Sequence, residues 1–186
     1  MRNPRLLLLL LATTGISVYE PTPSSAQSPA LVVLVRHGDT APNSGSDPDL
    51  TASGVKRAQD LASALSGTKF SAIITTQLVR TKQTAQPIAT ALGLGPEVIS
   101  YAAPQREAHV KSVADAVRKH SGGSVLVVGH STTIPLIIGA LGGPRLSEIC
   151  ETVFDNLFAL VPAGANVQFV HARYGTASPA PGPDCK

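Results

Sequence analysis

The sequence predicts an α/β fold, a three-layer α/β/α sandwich around a mostly parallel central sheet. Three observations carry that expectation. Apolar, largely β-branched runs at 31–35 (LVVLV), 72–74 (AII) and 125–128 (VLVV) leave no polar face, the pattern of strands covered on both sides. Helical periodicity fills the segments between them. Strands alternating with helices need crossover connections, which place the strands parallel. At 186 residues, with 43% hydrophobic and 15% charged residues, 16 Gly and 15 Pro, the chain fits one turn-rich domain and excludes a disordered, coiled-coil or collagen-like protein.

The elements follow in order. Arg2 and Arg5 precede an apolar stretch over 6–18, then Pro21, Pro23 and the small residues Ser24, Ser25 and Ala26, so 1–26 reads as a secretory signal cleaved after Ala26. The apolar stretch is shorter than the ~20 residues that span a bilayer, and no Cys follows it to take a lipid. A secreted or periplasmic protein with no stable membrane anchor after cleavage is expected. The folded domain is assigned to 27–175 and a Pro-rich tail, expected to be disordered, to 176–186. After the first strand, Thr51 can cap a helix whose apolar positions are Val55, Ala58, Ala62 and Leu65. Leu78, Thr81, Ala85, Ile88 and Leu92 repeat the spacing, with Pro87 kinking that helix or marking its late part. Val110, Val113, Ala114 and Val117 form a third stripe. Ile134, Ile137, Ile138 and Leu141 form a fourth, with Pro135 in the first turn and Gly142-Gly143-Pro144 as a stop. The segments 156–161 and 166–171 read as closing strands joined through Pro162-Ala163-Gly164.

Charge narrows the partners. Net charge is +3 for the full chain, and removing 1–26 leaves 13 basic and 11 acidic groups, with no run of like charge. No nucleic-acid footprint is visible, and 4% aromatics without Trp supply few stacking platforms. Lys56, Arg57, Lys82 and Lys111 read as solvated helix-face charges, and His109, His120 and His171 as surface or edge residues. Cys150 and Cys185 either bridge, tying the tail to the body, or stay as a buried thiol and a loose one.

The polar residues that follow the apolar runs carry the chemistry, because ligands of open parallel sheets bind beyond the carboxyl ends of the strands. One run leads into Arg36-His37-Gly38-Asp39-Thr40, another into Gly129-His130-Ser131. The segment after 72–75 puts Arg80 in the first turn of its helix. Ser131 and Thr132 either donate to an anion or cap the next helix, whose N-terminus is expected to face the same region. Two Arg and two His at one sheet edge form an anion pocket.

With LVRHGDT at 34–40, DLTASGVKRAQDLASAL at 49–65, TTQLVRTKQTA at 75–85 and VLVVGHSTTIP at 125–135, the sequence resembles the histidine phosphatase superfamily, which contains the cofactor-dependent phosphoglycerate mutases and acid phosphatases. The resemblance implies a phosphoglycerate mutase-like fold and a phosphatase that takes a small phosphorylated substrate, with no metal and no cofactor. It implies that neutral His37 attacks phosphorus while its other ring nitrogen is held by a backbone carbonyl. Arg36 and Arg80 would grip phosphate, and a protonated His130 would complete the phosphate-binding set. Related enzymes place a general acid after the third strand, where Glu107 is the best-placed carboxylate; Asp39, two residues from His37, is the rival. Glu107 equally suits a helix N-terminus. Other readings are a phosphohistidine or envelope-sugar phosphatase, or a non-catalytic phosphate-binding module of the same fold.

Overall fold

The apolar runs become strands in the computed structural model, which describes residues 28–41, 45–180, 182 and 185. In chain order the elements are β1 (Leu31–Arg36), α1 (Ala52–Ala64), β2 (Phe70–Thr75), α2 (Val79–Leu92), β3 (Glu97–Val98), α3 (Arg106–Lys119), β4 (Ser124–Gly129), α4 (Ile134–Ala140), β5 (Asn156–Ala163) and β6 (Asn166–Arg173). The leader expected over 1–26 lies outside the described residues. The strands form one mixed sheet in the order β3-β2-β4-β1-β5-β6. The first four in that order run parallel, and β5 and β6 close the sheet as an antiparallel pair. β1 and β4 lie in register to their ends, with Arg36 beside Gly129. The residues that follow, His37 and His130, therefore leave the sheet side by side, and the His37 N–H donates to the Gly129 carbonyl at 3.0 Å.

Alternation within β1, β2 and β4 serves two cores. Leu34, Ile74 and Val127 pack with Val113 and Val117 of α3 and Ile137 and Ile138 of α4. Val35, Ile73 and Val128 pack on the other face with Leu61 of α1 and Ala85 and Ile88 of α2. This is the three-layer sandwich the patterning predicts. Each fully buried Leu or Ile contributes about 1.5–3 kcal/mol, so the sheet centre is the rigid base on which the strand ends stand. No helix among the described residues is long and apolar enough to cross a membrane.

Thr51 caps α1 as its position predicts, its Oγ1 accepting from the Gly54 N–H at 3.2 Å. The buried face differs by one position: Gly54, Arg57, Ala58 and Leu61 face inward, while Val55 is 46% exposed. Gly54 explains the shift, because it lets the helix press against the chain leaving β1. A Cβ there would run into the Asp39 carbonyl oxygen and stand 2.9 Å from the Asp39 nitrogen. Gly54→Ala should cost about 2 kcal/mol by overpacking, read as a lower midpoint in chemical denaturation; an unchanged midpoint would contradict the close approach. α2 runs on through Pro87 to Leu92 and ends on Gly93 in the left-handed region at φ 64°. β3, two exposed residues long, has no sequence pattern to announce it.

The first closing strand runs two residues further than expected. Pro162 and Ala163 still pair with Val167 and Asn166, leaving Gly164 (φ 65°) and Ala165 as the turn. Pro162 is tolerated because β1 pairs β5 only from Leu157 to Leu160, so its missing N–H breaks no ladder on that side. The segment expected to be disordered from 176 onward instead begins tied to the body: Ser178 Oγ accepts from the N–H groups of Phe154 and Asp155, and its own N–H donates to Asp155. Cys150 and Cys185 form a disulfide, with Cα atoms 5.5 Å apart.

Candidate active site

Four of the residues singled out in the sequence meet at the carboxyl edge of the sheet. Arg36 ends β1 and His37 follows it, His130 follows β4, and Arg80 lies in the first turn of α2. The His37 and His130 ring centroids are 5.4 Å apart. His37 Nδ1 lies 2.8 Å from the Gly38 carbonyl oxygen, which can only accept, so Nδ1 carries the proton and Nε2 keeps its lone pair. Gly38 is itself fixed, since its N–H donates to Thr84 Oγ1 of α2 at 2.8 Å. Burial pushes the His37 pKa down to about 4, aided by the charges of Arg36 and Arg80 and opposed by the Gly38 hydrogen bond and Glu151. At neutral pH the ring is uncharged.

Arg36 is buried and its guanidinium is spoken for on one side. Nη1 donates to the carbonyls of Cys150, Glu151 and Val153, and Nη2 donates to Glu151 Oε2 at 2.5 Å. The Phe154 ring lies 4.1 Å from the guanidinium carbon, a cation–π contact. Arg80 is held less tightly, 3.4 Å from the Ser46 carbonyl and from Asp47 Oδ1, while Asp47 also accepts from the Val79 N–H at the start of α2. Burial lowers the pKa of both arginines, but from so high a value that they stay cationic. Arg36 Nε and His130 Nδ1 are buried with no hydrogen-bond partner among the described residues.

His130 Nε2 shares a hydrogen bond with Thr76 Oγ1 at 3.2 Å, and Tyr101 stacks on its ring at 5.0 Å. The Gln77 side chain clamps Tyr101 in place by bonding both its N–H and its carbonyl at 2.8 Å. Burial, reinforced by His37, Arg80, His109 and Arg36, pushes the His130 pKa down to about 2. In the protein by itself the His130 ring is therefore neutral at neutral pH. Stability follows from both histidines. Their folded pKa values lie below the ordinary 6.5, so the unfolded chain binds more protons and stability is lost as pH falls below 6.5, for His37 until about pH 4. The expected slope is up to about 1.4 kcal/mol per pH unit for each ring, and a melting temperature that stays level between pH 6.5 and 4.5 would refute it.

Other expectations are corrected. The helix after His130 has only seven residues, and the first N–H groups at its start, those of Thr133 and Ile134, donate to the His130 carbonyl rather than facing the pocket. Ser131 caps nothing; its Oγ donates to Glu151 Oε1 at 2.6 Å. Glu107 stands exposed in the first turn of α3, where its charge suits the helix N-terminus, and no hydrogen bond or ion pair joins it to Arg36, His37, Arg80 or His130. Asp39 is paired with Arg57, whose Nε donates to Oδ2 at 2.6 Å. Arg57 is thus not a solvated charge: it is buried and also donates to the Thr176 carbonyl at 2.9 Å. His109 is likewise buried, edge-on to Tyr101 at 5.1 Å.

Sequence reasoning missed Glu151 and Phe154. Both lie in the irregular segment after α4, with no periodicity or motif, and Glu151 is 115 residues from the Arg36 it contacts. Among the described residues no group of three His, Cys, Asp or Glu side chains is placed to hold a metal ion.

The model of the histidine phosphatase superfamily (branch 1) matches residues 32–103, which hold Arg36, His37 and Arg80. That segment is similar to the histidine phosphatase superfamily. Solved structures with the same fold include the protein histidine phosphatase SixA in complex with tungstate, at TM-score 0.59 and 19% identity over 77% of this chain and 96% of that one. A phosphoglycerate mutase from Bacillus anthracis gives TM-score 0.57 at 16% identity, covering 79% and 94%. A Mycobacterium tuberculosis protein described as PE-PGRS family protein PE_PGRS11 is 31% identical over 137 residues, 69% of this chain. The match spans only 23% of the length of that protein. The shared fold explains the constellation in this chain: β1 and β4 deliver its two histidines to one edge, and α2 brings the second arginine to them.

Proposed function

We propose that the chain is an exported phosphatase that hydrolyses phosphate monoesters through a phosphohistidine on His37. The observation that carries this reading is the His37 geometry, a buried neutral imidazole whose Nδ1 proton is committed to Gly38 and whose Nε2 is left to attack. Arg36 Nε and His130 Nδ1, buried and unpartnered beside it, are groups that phosphate oxygens would satisfy. In the first step Nε2 bonds to phosphorus as the ester P–O bond breaks, and the leaving oxygen carries away the electron pair, departing as the anion or taking a proton from water. Arg36 and Arg80 balance charge on the transferring oxygens. The proton that His130 gains on meeting the dianion makes it a third cation. Water then attacks phosphorus, the P–N bond breaks, and phosphate is released.

Neither Glu107 nor Asp39 is supported as the proton donor, so fast turnover is expected first for leaving groups that need none, such as phenolates. The leader supports export, and the Cys150–Cys185 bridge is of a kind that persists in oxidising compartments. The test is hydrolysis of an aryl phosphate by the full chain with a metal chelator present, combined with acid-labile trapping of the phosphorylated protein. Phosphate binding with neither turnover nor phosphohistidine would instead favour an anion-binding module.

A further inference from the structure

The fold lays one carboxylate across the anion pocket. Glu151 Oε2 accepts from Arg36 Nη2 at 2.5 Å and Oε1 accepts from Ser131 Oγ at 2.6 Å, so the two oxygens bridge donors that follow the two catalytic strand ends. The backbone under it is fastened, because Arg36 Nη1 holds the carbonyls of Cys150, Glu151 and Val153. The side chain is not: it is 76% exposed, while its partner Arg36 is 4% exposed. A carboxylate tethered by its backbone and open to solvent can turn away without disturbing the loop.

We infer that Glu151 is a built-in competitor for the phosphate subsite, a carboxylate that occupies Arg36 and Ser131 until a substrate phosphate displaces it. The inference rests on the phosphatase reading and names the substrate class more closely. A phosphate monoester dianion brings two charges and three free oxygens against one charge and two oxygens, so it takes the guanidinium edge. A phosphodiester or a sulfate monoester has one charge, no advantage over the carboxylate, and meets an occupied arginine. Glu151 thereby makes the site selective for dianions. Burial alone would raise the Glu151 pKa, but the Ser131 hydrogen bond and the Arg36 charge outweigh it and hold the group below the usual carboxylate range. An ionised carboxylate has no proton to give, which separates this role from that of a general acid.

Glu151→Gln keeps the shape and the Ser131 contact and removes the charge. Inorganic phosphate is titrated into wild type and variant by calorimetry at pH 7.5, and steady-state constants are measured with aryl phosphates of differing leaving-group acidity. Phosphate should bind the variant about fivefold more tightly, the most that an ion pair with one largely exposed partner is worth. KM should fall by a similar factor with kcat nearly constant, and the preference for phosphate over sulfate should narrow. Damage to the fold would weaken binding, so tightening is not a structural artefact, and Glu151→Ala should tighten it too. Unchanged or weaker phosphate binding overturns the inference, as does a kcat that collapses most for the poorest leaving groups, the mark of a proton donor. Tighter binding with no turnover in either protein leaves the competitor standing and sinks the catalytic reading. No phosphate binding by either protein sinks both.

Discussion

His37→Ala should abolish turnover of aryl phosphates, by about ten-thousand-fold or more, because removing a nucleophile forfeits nearly the whole concerted unit. The side chain lost is the one whose tautomer the Gly38 carbonyl sets. Three readouts separate loss of the nucleophile from loss of the fold. The acid-labile phosphoenzyme should vanish, the thermal transition should remain cooperative, and phosphate should still bind, because Arg36, Arg80 and His130 are untouched. A variant with near wild-type activity would disprove the phosphohistidine assignment outright. One that neither turns over nor binds phosphate would show instead that His37 holds the pocket together.

The legible part of this protein is what short-range pattern encodes. Unbroken β-branched runs give the parallel strands, and residues just past them give His37 and His130, because strand ends of a parallel sheet meet at one edge whatever the intervening loops do. Arg80 is legible by the same logic through the helix start beside β2. The remaining parts rest on contacts between distant segments. Arg57 looks like a solvated lysine-type charge on α1 until Asp39, 18 residues earlier, and Thr176, 119 residues later, close around it. Glu107 is the best-placed carboxylate after the third strand. Yet its position at the head of α3 satisfies a helix dipole, a local reason that competes with the catalytic one. Glu151 had no local reason at all, and only the way the post-α4 segment folds over Arg36 gives it one.

That segment also sets the second large effect. Opening the Cys150–Cys185 bridge, by Cys185→Ser or by reductant, should lower stability by about 3–4 kcal/mol, since the two cysteines are 35 residues apart and loop-closure entropy scales with that separation. Unlike an ordinary surface staple, this one bears on the site. Cys150 is the residue whose carbonyl accepts from Arg36 Nη1 at 2.9 Å, and Glu151 and Val153 supply the next two acceptors. Freeing Cys150 lets those carbonyls drift, and a guanidinium that loses its fixed acceptors no longer presents one edge to an anion. KM for an aryl phosphate should therefore rise severalfold while His37 chemistry, anchored to Gly38 and the sheet, changes less in kcat. Denaturation midpoints and steady-state constants measured with and without reductant decide the matter. Equal midpoints would remove the stabilising role of the bridge, and a lower midpoint with unchanged KM would show that Arg36 is held by Glu151 and Phe154 alone.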